Sequence, residues 1–129
     1  MKAFITGGSR GIGKEITKYF KDRGIEVIKP TRGEIDLSNP DKIHNYLSTL
    51  SEDIDIVINN AGINNLSNIE DTTYQDLQNT FNINYFSPFL ICSHFLKIFK
   101  KNNYGRIINI SSIWGKISKN KRSTYALSK

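Results

Sequence analysis

Several features that would point to other kinds of protein are scarce or missing in this sequence. Among 129 residues there is one cysteine, Cys92, so neither an internal disulfide nor a cysteine-based metal cluster can form. No apolar run approaches the roughly 20 residues that a membrane-spanning helix needs. The opening stretch, Met1 to Arg10, carries one lysine and an apolar segment too short for the middle of a secretory signal, so no membrane partner and a cytoplasmic location are the expectation. Only 3 prolines are present, and no linker, repeat or low-complexity tract breaks the chain. The length then fits one compact domain with a single core.

What is present agrees with a folded chain. Hydrophobic residues make up 38% and charged residues 23%, the balance of a globular domain rather than a disordered one. The net charge of +6 is spread along the chain except at Lys119 to Arg122. A solvated basic surface explains that spread better than nucleic-acid binding does, and a phosphate-rich cofactor could use part of it.

Periodicity divides the chain into alternating strands and helices. Lys2 to Thr6 reads as a short buried strand that runs straight into glycines. Gly11 to Gly24 places Ile12, Ile16, Tyr19 and Phe20 on one helical face, with Gly24 as the stop. Ile25 to Pro30 is a second strand, and Glu34 to Leu37 reads as a third. A helix follows with Asn39 as N-cap, Pro40 at its first position, and Ile43, Tyr46, Leu47 and Leu50 inward. Asp53 to Asn60 is a fourth strand, a long helical segment runs from about Thr73 to Lys100, and Arg106 to Ser111 is the last strand. Apolar strands separated by helices imply a parallel sheet covered on both faces, with ligands expected beyond the carboxyl ends of the strands.

The chemistry-bearing residues fall at those ends. Thr6 to Gly13 reads TGGSRGIG and opens directly onto a helix. Glycines there allow a tight turn and close approach of the backbone to a pyrophosphate, while the helix start offers unpaired N–H groups and a positive partial charge. Strand, glycine loop and amphipathic helix in that order point to dinucleotide binding.

The spacing T-G-x-x-x-G-x-G resembles that of the short-chain dehydrogenase/reductase family, and further marks of the family follow in order. These are NNAG from Asn59 to Gly62, Asn84 inside a helix, NISS from Asn109 to Ser112, and Tyr125 with Lys129, Ser112 preceding Tyr125 by 13 residues. The resemblance spans the chain. It implies an α/β fold, a Rossmann-like doubly wound parallel sheet that here stops after its fifth strand, in a single dinucleotide-binding domain, residues 1–129, incomplete at the C-terminus. It implies an NAD(P)-dependent oxidoreductase moving hydride between nicotinamide and a small carbonyl or alcohol substrate. It assigns Gly7, Ser9, Arg10, Gly11, Ile12 and Gly13 to the cofactor, along with Asn60, Ala61 and Gly62, Asn60 also pinning neighbouring strands. Asp36 and Leu37 resemble the pair that contacts the adenine.

An acidic residue at the end of the second strand would hold a ribose 2′-hydroxyl, whereas basic ones accommodate a 2′-phosphate. Arg32 near that end and Arg10 in the glycine loop favour NADP, while Glu34 keeps NAD open as the alternative. For catalysis, a phenol with a pKa of roughly 10 is a poor acid or base at neutral pH, and a nearby ammonium favours its phenolate. Residues four apart on a helix share a face, which suits Tyr125 and Lys129. By resemblance Tyr125 is the acid/base, Lys129 tunes it and holds the nicotinamide ribose, and Ser112 bonds the substrate oxygen. Pro88 has no N–H for the carbonyl of Asn84, and the resemblance puts that main chain in a proton relay. The helix around Asn84 is also a candidate surface for a homo-oligomer. With one helical turn after Tyr125, a non-catalytic nucleotide-binding or interaction module is the alternative.

Overall fold

The computed structural model describes residues 1–129. Four strands form one parallel sheet: β1 (Lys2–Ile5), β2 (Glu26–Ile28), β3 (Ile56–Asn59) and β4 (Arg106–Asn109), in the order β2-β1-β3-β4. Helices α1 (Gly11–Lys21), α2 (Pro40–Ser48), α3 (Tyr74–Phe81), α4 (Ser87–Asn102) and α5 (Ser123–Leu127) connect and follow them. A π-helical turn, Asn82–Phe86, joins α3 to α4 without a break.

The helices lie on both faces of the sheet. On one, Phe4 and Val57 pack with Ile43 and Leu47 of α2 and with Ile91, Phe95, Ile98 and Phe99 of α4. On the other, Ala3, Ile5, Ile56 and Ile58 meet Ile16 and Phe20 of α1. The buried line of α1 therefore passes through Gly13 and Thr17, with Ile16 and Phe20 half-buried beside it. Ile12 and Tyr19, expected on that face, point to solvent. Asn39 caps α2 as expected, its Oδ1 accepting from the backbone N–H of Asp41 at 3.0 Å and Lys42 at 3.1 Å.

The expected third strand is absent, so the sheet has four strands rather than five. After β2 the chain turns at Thr31, whose carbonyl accepts from the N–H groups of Glu34 and Ile35 at 3.1 Å each. A return to a new parallel strand takes a crossover of a dozen or more residues, and the short link from Ile28 to Glu34 has no such length. Ile35 is still buried, but as part of a loop that plugs the core under α2. Its hydrophobicity came from packing, not from pairing.

Candidate active site

A cavity of about 540 Å³ opens at the carboxyl ends of β1, β2 and β3. Its floor is the glycine loop, its far wall the Pro30–Leu37 loop, and its inner rim Asn60 to Ile63. Gly7, Ser9, Arg10, Ile12, Arg32, Asp36, Leu37, Asn60, Ala61 and Gly62 all line it; Gly11 and Gly13 do not.

The loop is shaped by what it must avoid. Gly7 has φ +66°, and a Cβ added there would lie 2.9 Å from the Asn60 amide nitrogen. A Cβ on Gly13 would collide with the Gly7 carbonyl oxygen and the same amide. Gly13 thus brings α1 against the ends of β1 and β3, which seats the helix start at the cavity floor. Asn60 Nδ2 donates to the carbonyls of Thr6 at 3.0 Å and Gly7 at 3.1 Å. In return, Thr6 Oγ1 accepts from the N–H groups of Asn60 and Ala61 at 3.1 Å each. Those four bonds lace β3 to the glycine loop. No side chain caps α1 and no acidic residue occupies its first turn, so its terminal N–H groups face the cavity without a competing anion.

The Pro30–Leu37 wall carries the charges that matter for a ribose. Glu34 turns away from the cavity: its Oε2 accepts from the Thr31 N–H and Oγ1 at 2.7 Å each, and these bonds hold its carboxyl below the usual range. Arg32 lines the cavity and Glu34 does not. Asp36 Oδ1 accepts from Ser38 Oγ at 2.6 Å and Ser38 N–H at 3.0 Å, which lowers its pKa.

Toward β4 the remaining residues gather from separate elements. Asn84, buried in the π-turn, clamps the backbone of Ile63 from both sides: its Oδ1 accepts from the N–H and its Nδ2 donates to the carbonyl, each at 2.9 Å. The same Nδ2 donates to Ser128 Oγ at 2.8 Å, and Ser128 Oγ donates to the Tyr125 carbonyl at 2.8 Å. This side chain therefore ties α5 to the cavity rim. The π-turn directly precedes α4, whose second residue is Pro88, and such turns recur at functional sites.

Lys129 Nζ donates to the Ile110 carbonyl at 3.1 Å and lies 5.8 Å from the centre of the Tyr125 ring. Burial pushes its ammonium pKa down. A methyl group on Gly62 would sit 3.4 Å from Lys129 Nζ and 3.3 Å from Asn84 Oδ1, so both reach the rim of the cavity. Tyr125 is half-buried, and its hydroxyl makes no hydrogen bond within the chain. Ser112 Oγ accepts from the Trp114 N–H at 3.2 Å, capping a short 3₁₀ turn, Ile113–Gly115.

Thr6, Ile63 and Ser128 were not expected to take part. Thr6 and Ile63 line the cavity, and Ser128 holds α5 to Asn84. A threonine closing a strand just before glycines was a visible signal for the first. Nothing in the sequence marked the other two, because one acts through its backbone and one through a partner 44 positions away.

An open parallel α/β sheet with its cavity beyond the strand ends and a glycine loop on its floor defines a Rossmann-like fold. Residues 33–129 match the family model described as short chain dehydrogenase, and the chain belongs to that family. It is 31% identical to an uncharacterized oxidoreductase of Thermotoga maritima, covering 97% of this chain and 59% of the relative. It is 30% identical to the 3-oxoacyl-(acyl-carrier-protein) reductase FabG of Vibrio cholerae, covering 98% and 61%. Among solved structures it resembles a 4-hydroxyisoleucine dehydrogenase complexed with NADH, TM-score 0.93 at 28% identity over 98% of this chain and 62% of that one. An oxidoreductase from Brucella ovis matches with TM-score 0.90 at 25% identity, covering 98% and 69%. The chain spans between 47% and 61% of the length of the curated relatives it matches. No helix is long and apolar enough to cross a membrane.

Proposed function

We propose that this chain is the cofactor-binding and acid-base portion of a nicotinamide-dependent oxidoreductase that interconverts a small carbonyl compound and its alcohol. One observation carries the reading. The cavity has an uncapped helix start at its floor, while Lys129 and Asn84 stand beside Gly62 at its rim. A dinucleotide has the same polarity, with an anionic middle and a reactive ring at one end. The cavity suits such a ligand in chemistry, for Gly7 turns the loop at φ +66° and Gly13 lets the start of α1 close on it, which brings unpaired N–H groups to where a pyrophosphate would lie.

When bound, the nicotinamide supplies or accepts the hydride at the substrate carbon. Tyr125 gives the proton to the carbonyl oxygen or takes it from the alcohol, its hydroxyl being free of other partners. Ser112 donates a hydrogen bond to that oxygen, its Oγ already oriented by the Trp114 N–H. Lys129 stands behind the tyrosine ring with its ammonium held by the Ile110 carbonyl, and it contacts the nicotinamide ribose. The main-chain carbonyl of Asn84 would hold a water, and that water, accepting one proton as it gives up another, would relay protons toward Lys129.

NADP is the preferred cofactor. Arg32 and Arg10 line the cavity, and Glu34, the group that would have favoured a free 2′-hydroxyl, is occupied by Thr31. Asp36 and Leu37 flank the adenine. A cytoplasmic enzyme is the expectation, and a second copy of the chain could pack on the π-turn and α4, where Tyr85, Phe86 and Phe89 are exposed.

Titration followed by reduced-cofactor fluorescence tests this directly. NADPH is expected to bind about tenfold or more tightly than NADH, a difference of about 1.4 kcal/mol, and Arg32→Ala should remove most of that preference. Tyr125→Phe should abolish turnover on a test carbonyl while leaving NADPH affinity unchanged. Turnover retained in that variant would refute the role of Tyr125, and binding without turnover in the parent chain would favour a nucleotide-binding module.

A further inference from the structure

The two ends of this sequence differ in charge more than the net value suggests. Residues 77–129 contain no aspartate or glutamate, against 9 lysines and arginines. Besides Lys129, those cations form two groups of four at opposite ends of the sheet. Lys97, Lys100, Lys101 and Arg106 lie at the amino ends of the strands, where Lys101 is paired with Glu52. Lys116, Lys119, Lys121 and Arg122 lie at the carboxyl ends, in the segment between Ser112 and Tyr125, and none of them forms an ion pair.

The second group is organised around one side chain. Lys119 Nζ sits 4.7 Å and Arg122 Cζ 5.6 Å from the centre of the Trp114 ring. Trp114 is the residue whose N–H bonds Ser112 Oγ, and Arg122 directly precedes α5, which carries Tyr125. The segment is anchored elsewhere too. Lys121 adopts φ +60°, a left-handed conformation that is unfavourable for a non-glycine residue, and its carbonyl accepts from the Ser67 N–H at 3.2 Å. Glu70 and Asp71, on that neighbouring loop, form no ion pair with it; Asp71 takes the Asn68 amide at 2.9 Å. None of these cations lines the cofactor cavity, which has its own arginines.

We propose that the substrate carries an anionic group, a carboxylate or a phosphate ester, which docks on Lys119 and Arg122 beside Trp114 while its carbonyl or alcohol faces Ser112 and Tyr125. This rests on the reading of Ser112 and Tyr125 given above. Two unpaired cations held over one ring create a positive potential next to the site where the reacting oxygen would sit. The separation of the two basic groups argues against a nucleic-acid track, which needs cations along a continuous path.

Trp114 is the only tryptophan, so its emission reports on this surface alone. The chain, with and without NADP, is titrated with acetoacetate against methyl acetoacetate, and with dihydroxyacetone phosphate against dihydroxyacetone. Each pair shares a reacting carbonyl and differs in charge. At least one charged probe should bind about tenfold more tightly than its neutral partner, and which pair does so separates carboxylate from phosphate. The preference should fall to about twofold in Lys119→Gln/Arg122→Gln and persist in Lys100→Gln/Lys101→Gln, which removes the same charge at the other end. Equal affinity for both members of both pairs, or a preference unchanged in the first double variant, would overturn the proposal. NADPH fluorescence on the same samples keeps the two readings apart. Charge preference without NADPH binding would sink the cofactor reading and keep the docking surface, while NADPH binding without preference would do the reverse.

Discussion

β3 and β4 pair side by side and carry almost the same residues, Ile-Val-Ile-Asn against Arg-Ile-Ile-Asn, yet they live in different environments. Every residue of β3 is buried, whereas in β4 only Ile107 is covered even in part. Ile58 and Ile108 are register partners and so face the same side of the sheet. Ile58 is 1% exposed, with Ile16 and Phe20 of α1 in the cluster it belongs to, while Ile108 is 44% exposed beyond the reach of that helix. The terminal asparagines repeat the contrast. Asn59 is buried and donates to Asn109 Oδ1 at 2.8 Å and Cys92 Sγ at 3.3 Å, and Asn109 is open to solvent. Burial is therefore a property of neighbours: β3 has a strand on each side and a helix on each face, and β4 has one of each. The tightly laced side of the sheet is also the side that carries the cavity at the strand ends.

Substitutions that break this asymmetry can be ranked. Gly13→Val should have the largest effect. Its side chain has nowhere to go between Gly7 and Asn60, so a loss of 3 kcal/mol or about that is expected in chemical unfolding, together with loss of nucleotide binding. Next, Ile58→Ala should cost about 3 kcal/mol and Ile108→Ala about 1 kcal/mol or less, in the same unfolding assay. Equal costs would mean that the two strands are not packed as differently as described. Asn84→Ala removes three buried hydrogen bonds and should cost about 2 kcal/mol. Hydrogen exchange should show the loss concentrated at Ile63 and α5 rather than in β1 or β3. Ser112→Ala gives up only the cap on Trp114, about 1 kcal/mol, and should cost far more in turnover than in stability.

The smallest effect is electrostatic. The Asp36 carboxyl is held below its ordinary value of 3.8 by the Ser38 bonds. Its contribution to stability is complete above that ordinary value and is lost as pH falls through the lower folded one. Asp36→Asn should therefore lower stability slightly at neutral pH, and the difference from the parent chain should vanish in acid, as read from unfolding midpoints along a pH series.

Much of this architecture could be read in advance, and the exceptions share a cause. β1, β2, β3 and β4, the cap and first turn of α2, and the glycine loop are written in local patterns whose physics is local: apolar runs, an Asn-Pro start, glycines at a turn. Glu34 to Leu37 misled because Ile35 is as buried as a strand residue would be, though it plugs the core from a loop. Ile12 and Tyr19 misled because helical phase alone does not say which stripe meets the sheet; the close approach at Gly13 sets it. Of the candidate site, the residue types and order were visible, while the Asn84 clamp on Ile63 and Ser128 was not, being made by contacts between distant segments.

Whether the cavity laced by Thr6, Gly7 and Asn60 receives the cofactor can be read from backbone amide shifts on titration with NADPH. Shifts are expected to concentrate at Gly7 to Gly13, at Arg32 and at Asn60 to Gly62, with smaller ones reaching Lys129. Shifts centred on the exposed face of β4, or saturating binding that leaves the glycine loop unmoved, would contradict that expectation.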